Sequence, residues 1–173
     1  MIRYLISEPS YNYKSFKDAN FVCYRNKNAV NFEEEAKAFI KKAKKEGIEN
    51  IFLNTNYVLA SKLKVTGVHL TSKQQNFISS AKKLGLKVII SCHNEEEIKK
   101  AIEEKVDFIT YSPVFETPNK GKPKGIKNLE QIVCKYDVKI IALGGIITKE
   151  QIEKIKHTKA AGFASIRYFL DEE

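Results

Sequence analysis

Short apolar runs alternate along this chain with segments of helical period. The runs fall at residues 3–6, 21–24, 51–53, 67–70, 87–91, 108–114, 140–143 and 161–166, each the length of a buried strand. Between them, apolar positions recur every three or four residues. Phe32, Ala36, Phe39, Ile40 and Ala43 share one such face; Phe77, Ile78, Ala81 and Leu84 a second; Ile98, Ala101 and Ile102 a third; Leu129, Ile132, Val133 and Tyr136 a fourth. Helix starts are marked by Asn31 with Glu34, Asn94 with Glu97 and Thr148 with Gln151, and helix ends by Gly47 and Gly85. A short helix is expected within 54–63. Residues 8–20 carry no helical period, and nothing after residue 166 is long enough for a helix.

Eight strands alternating with helices predict an α/β fold: a shortened single-domain (β/α)8 barrel with a reduced first helix and a missing last one. An open doubly wound sheet would show the same periodicity. The 173 residues, 43% of them hydrophobic, suffice for one core, so one domain over 1–173 is expected. The 30 Lys and Arg against 21 Asp and Glu give a net charge of +9. Most of this charge is interleaved with Glu on helix faces, which argues for solvated surface rather than a nucleic-acid stripe and leaves an anionic small substrate as the natural partner. Cys23, Cys92 and Cys134 are scattered without metal-type spacing, and the opening apolar run is too short for a signal peptide or a membrane span. A reduced, cytoplasmic protein with no membrane attachment is expected.

The chemistry concentrates at strand ends. Residues 107–125 run from a strand into a loop bearing Thr117, Asn119, Lys120, Lys122 and Lys124 among Pro and Gly, a composition suited to an anion pocket. The next strand ends in Gly144-Gly145, where bare backbone N–H groups can approach a phosphate. His93 stands at the end of strand five, the barrel face that carries chemistry, and imidazole suits proton transfer near neutral pH. His69, alternating with Val68 and Leu70, is expected to be buried and structural, and Cys23 and Cys92 to be packing residues.

Six strand ends in order are Tyr24-Arg-Asn-Lys27, Leu53-Asn54, Gly67-Val-His-Leu70, Ser91-Cys-His-Asn-Glu-Glu96, Tyr111-Ser-Pro-Val-Phe-Glu-Thr117 with Lys120, and Ile141-Ala-Leu-Gly-Gly-Ile146. Together they resemble the thiamine-phosphate synthase / TenI family across nearly the whole chain. The resemblance implies a (β/α)8 barrel that handles thiazole phosphate. The family has two branches: a synthase that couples thiazole phosphate to a pyrimidine pyrophosphate with Mg²⁺, and a tautomerase that aromatises thiazole phosphate carboxylate.

Individual residues divide the branches. The synthase pattern Gln-x-Arg-x-Lys stands here as Cys23, Arg25 and Lys27, its Asn-Asp pair as Asn54-Thr55, and its second metal-binding Asp falls on or near Gln74. Two carboxylates for Mg²⁺ are therefore replaced by neutral side chains. Thr-x-Thr-Lys becomes Thr117, Asn119 and Lys120; Val-Phe-Glu-Thr is tautomerase-like, whereas Pro113 is synthase-like. The phosphate-binding Ser of synthases is replaced by Arg167. The resemblance thus implies His93 as the acid/base, Gly144, Gly145, Ile166 and Arg167 at the phosphate, and Arg25, Lys27, Asn54, Thr117, Asn119 and Lys120 around the substrate. A tautomerase with no cofactor is expected, and Mg²⁺ enters only if the chain is a divergent synthase. A non-catalytic binder of thiamine intermediates is a third expectation, and a barrel without its last helix could pair as a homo-oligomer to cover an apolar strip.

Overall fold

The computed structural model describes residues 1–170 and is a closed barrel of eight parallel strands in the order β1 to β8. The strands are β1 (Ile2–Ile6), β2 (Phe21–Tyr24), β3 (Asn50–Asn54), β4 (Gly67–Leu70), β5 (Lys87–Cys92), β6 (Phe108–Tyr111), β7 (Lys139–Leu143) and β8 (Gly162–Ser165), with β1 pairing β8 to close the ring. The helices are α1 (Phe32–Lys45), α2 (Tyr57–Lys62), α3 (Ile78–Lys83), α4 (Glu95–Glu103), α5 (Gly125–Lys135) and α6 (Lys149–His157). A 3-10 turn, Ser72–Phe77, precedes α3. The open-sheet alternative is excluded by the β1–β8 pairing.

Strand residues alternate between two apolar layers, as the period of two requires. Tyr4, Phe21, Phe52, Phe108, Ile89 and Ile141 fill the barrel, with Tyr4 edge-on to Phe21 and Phe52 at ring distances of 6.1 and 5.9 Å. The alternate residues, among them Val22, Leu53, Val68, Ile90 and Ile109, meet the helices outside. The three expected helix starts hold: Asn31, Asn94 and Thr148 accept from the N–H of Glu34, Glu97 and Gln151.

Aromatic plugs follow β1 and β8 where, among the described residues, no helix forms. Between β1 and β2 no helix forms; instead Tyr13, Phe16 and Ala19 are buried, and Phe16 lies 4.9 Å from the Phe39 ring of α1. The Glu46 carboxylate fixes this segment, accepting from Phe16 N–H at 2.6 Å and Ser15 Oγ at 2.9 Å. Among the described residues no helix follows β8; a turn folds Tyr168 and Phe169 back over Phe163 of β8, at 5.2 and 5.9 Å. Burying one such ring contributes about 2 kcal/mol. The same turn carries Arg167 to the barrel mouth.

Two strands are shorter than their apolar runs predict: β8 spans Gly162–Ser165 within the expected 161–166, and β6 is shortened more. β6 stops at Tyr111, not at Val114, because Pro113 has no N–H for the ladder. Contact with β7 resumes past the proline, where Val114 N–H donates to Leu143 O at 2.9 Å and Phe115 N–H to Gly144 O at 3.0 Å.

Candidate active site

The carboxyl ends of the strands surround a cavity of about 310 Å³. Arg25 and Lys27 reach it after β2, Asn54 from β3, His69, Thr71 and Ser72 from β4 and the turn beyond, and Ser91 and His93 from β5 and its end. Ser112, Pro113, Thr117 and Lys120 follow β6, Gly144 and Gly145 follow β7, and Ile166 and Arg167 follow β8. Every residue that the resemblance assigns to the site therefore lines one cavity except Asn119, while Lys122 and Lys124 of the loop after β6 lie outside the lining too. Asn119 sits exposed at φ +60° in the turn closed by Lys120 N–H to Thr117 O, outside the cavity.

On the β7–β8 side the wall is backbone. The N–H groups of Gly144, Gly145, Ile166 and Arg167 find no protein acceptor among the described residues, a cluster of bare donors suited to an anion. The guanidinium of Arg167 is exposed beside them. Gly144 and Gly145 adopt φ +101° and +67° and pack directly against the loop after β6.

After β2, two strands round the ring from β8, Arg25 and Lys27 differ. Arg25 N–H donates to Ser7 Oγ at 2.9 Å, and its guanidinium donates to the Glu8 carboxylate at 2.6 Å. Its charge is largely answered within the protein. Lys27 is exposed and has no ion-pair partner among the described residues, which leaves it as the free cation on this wall. Glu8, 17 residues from Arg25, gave no local signal in the sequence.

The floor is a buried polar chain. His69 lies with Nδ1 3.0 Å from Tyr4 Oη and Nε2 3.1 Å from Ser91 Oγ, and Thr110 Oγ1 donates to Ser91 Oγ at 3.3 Å. Burial, reinforced by the charge of Arg25, pulls the imidazole pKa from 6.5 down to about 3. His69 is thus the buried structural histidine that its alternation predicted, held neutral. Because its folded pKa lies below its unfolded one, the unfolded chain binds the extra proton first. The stability this group supports is full above pH 6.5 and is lost as the pH falls toward 3, by roughly 3 kcal/mol at pH 4. Urea midpoints at pH 7 and pH 4 should show this loss in the wild type and a smaller one in His69→Gln; equal losses would rule His69 out as the acid-sensitive group. Cys23 and Cys92 are buried as expected, and burial pushes both thiols up to about 12, so neither is a nucleophile near neutrality.

The positions matched to the synthase metal ligands do not suit Mg²⁺. Gln74 Oε1 accepts from Thr71 N–H at 3.1 Å, and its Nε2 donates to the Thr55 carbonyl at 3.3 Å. The amide is engaged at both ends, and neither residue brings the anionic oxygen that a hard dication needs.

At the mouth, His93 N–H donates to the Glu97 carboxylate at 2.6 Å, which anchors the start of α4. Its ring is exposed, with Nδ1 3.2 Å from both the carbonyl oxygen and the Oγ of Ser112. Ser91 and Ser112 were not singled out as site residues from the sequence. Ser91 was within reach, since it lies two residues before His93, at the end of β5.

The closed ring of parallel strands and the polar residues gathered at their carboxyl ends define a (β/α)8 barrel with its candidate site at that face. A sequence model of the family described as thiamine monophosphate synthase matches residues 15–169. A relative named "Putative thiamine-phosphate synthase 2", from Aquifex aeolicus, is 32% identical over 85% of this chain and 78% of its own length. The thiamine-phosphate synthase of Synechocystis is 30% identical over 97% of this chain, which spans 52% of that protein. Among solved structures, a thiamine phosphate pyrophosphorylase from Pyrococcus furiosus superposes with a TM-score of 0.79 at 22% identity, covering 95% of this chain and 85% of its own. The chain belongs to the thiamine monophosphate synthase / TenI family, and its setting is thiamine biosynthesis. Among the described residues, no helix is long and apolar enough to cross a membrane.

Proposed function

We propose that this chain is a cytoplasmic, metal-independent tautomerase that aromatises thiazole phosphate carboxylate. The observation that carries this assignment is the contrast between two places in one cavity. An imidazole held by Ser112 stands at the mouth, whereas the positions matched to the Mg²⁺ carboxylates are Thr55 and Gln74, tied to each other. The phosphate is received by the amides of Gly144, Gly145, Ile166 and Arg167 and by the Arg167 guanidinium. The carboxylate faces Lys27, and Arg25, neutralised by Glu8, shapes that wall. His93 removes a proton from a ring carbon and returns it to a carbon outside the ring, so no cofactor or second substrate is consumed.

The names of the relatives favour a second reading, a divergent synthase, and Thr117, Lys120 and Pro113 keep part of that pattern. Absorbance after mixing the protein with the non-aromatic tautomer in the presence of EDTA separates the two. Rapid aromatisation is expected. No acceleration, together with Mg²⁺-dependent coupling of thiazole phosphate to the pyrimidine pyrophosphate, would establish the synthase; tight binding of thiazole phosphate with neither reaction would establish a binder.

Arg167 tests the phosphate site separately. Removing a charge-assisted contact costs about 1.5–3 kcal/mol. Arg167→Ala should therefore weaken thiazole phosphate binding by about tenfold or more in calorimetry while leaving the dephosphorylated thiazole unaffected. Unchanged affinity for the phosphate ester would remove Arg167 from the site.

A further inference from the structure

The ring of His93 is oriented by one residue. β5 and β6 are paired neighbours, and Ser112 N–H continues their contact by donating to Cys92 O at 3.3 Å. This brings the carbonyl and the hydroxyl of Ser112 to the same ring nitrogen, Nδ1, each at 3.2 Å. Ser112 is itself only 8% exposed, so this frame is part of the barrel wall. No described residue bonds the other ring nitrogen, Nε2.

The two Ser112 oxygens do not have equal say in the tautomer. A carbonyl oxygen can only accept, so a lone pair on Nδ1 would face the carbonyl lone pairs at hydrogen-bond distance. A hydroxyl accepts or donates as its neighbour requires. Both contacts are satisfied together only when Nδ1 carries the hydrogen. We propose that Ser112 is a positioning residue that holds His93 as the Nδ1–H tautomer, leaving Nε2 as the base; its part in catalysis rests on the tautomerase assignment above.

The proton balance then closes on one ring. Nε2 takes the proton as the substrate C–H bond breaks, giving an imidazolium whose Nδ1–H stays on Ser112. The same Nε2–H is then delivered to a substrate carbon outside the ring, where the exocyclic double bond is lost as the ring becomes aromatic, and His93 returns to its starting tautomer with nothing consumed. The frame keeps the ring from turning between the two transfers.

The test is two-bond ¹H–¹⁵N correlation of histidine-labelled protein at a pH where the ring is neutral. His93 is expected with a protonated Nδ1 and an unprotonated Nε2. Ser112→Ala keeps the carbonyl and loses the hydroxyl. It should leave the Nδ1–H tautomer that the carbonyl sets and, by the weight of one net hydrogen bond lost from the ring's frame, lower kcat about tenfold with KM within about twofold. Ser112→Thr should restore kcat. An Nε2–H ring in the wild type, or a Ser112→Ala protein with the kcat of the wild type, overturns the proposal. An Nδ1–H ring in a protein that does not aromatise the tautomer keeps the positioning role and sinks the tautomerase assignment alone.

Discussion

Replacing His93 with alanine should slow aromatisation of thiazole phosphate carboxylate by about 10²- to 10⁴-fold, the usual worth of a positioned general acid/base. The loss should fall on kcat. The phosphate wall of Gly144, Gly145, Ile166 and Arg167 is built after β7 and β8 and does not include His93, so affinity for the aromatic product should stay close to that of the wild type. Folding should also be nearly unaffected. The imidazole is exposed, its side-chain bonds run only to Ser112, and the backbone N–H that anchors α4 on Glu97 survives the substitution. Surface changes of this kind cost within about 0.5 kcal/mol. Single-turnover absorbance with the wild type and His93→Ala, alongside calorimetric affinities for the product, measures both effects. A variant that still aromatises the tautomer at the wild-type rate would move the proton shuttle to another residue, and Ser112 Oγ would be the next to examine.

What the sequence made legible is local or periodic. The helix starts at Asn31, Asn94 and Thr148 are set by bonds that span three residues, and each was readable from residue type and spacing. The barrel followed from the count of apolar runs, and the strand-end residues followed from the rule that this fold gathers its chemistry on one face. Less legible was anything that depends on two distant segments meeting. Arg25 and Lys27 look equivalent in the chain; only the fold brings Glu8 to Arg25 and leaves Lys27 free. Likewise, Ser112 is an unremarked residue before a proline until β5 and β6 pair and turn it toward His93, 19 positions away. β6 was read too long because Val114 continues the apolar run, and periodicity alone gives no weight to the donor missing at Pro113. The aromatic plugs after β1 and β8 had no periodic signal because a plug is made of single rings, Phe16 seated on Phe39 of α1 and Phe169 on Phe163 of β8.

Gly145→Ala should be among the most damaging single-methyl changes at the site. A Cβ there would lie 2.2 Å from the Glu116 carbonyl oxygen and 2.9 Å from the Phe115 carbonyl carbon, and the residue would also have to hold φ +67°. The left-handed conformation alone costs about 1–2 kcal/mol. The clash is with backbone, so relief requires moving the loop after β6 away from β7. That movement works against the bonds from Val114 N–H to Leu143 O and from Phe115 N–H to Gly144 O, and against the bond from Gln151 Nε2 to Gly145 O at 2.9 Å. A total loss of about 3 kcal/mol follows, or roughly 6–12 °C in melting temperature for a chain of this size. Gly121→Ala supplies the control: it also has positive φ, at +73°, but its Cβ would meet nothing within 4 Å, so only the conformational cost applies. Thermal melts of the two variants, with and without saturating thiazole phosphate, separate the effects. Gly121→Ala should retain its stabilisation by ligand, and Gly145→Ala should lose most of it, because the displaced loop and the amides facing the phosphate move together. If both variants melt alike and respond alike to ligand, the loop yields freely and the wall at Gly145 is not the rigid anion cradle that the close packing implies.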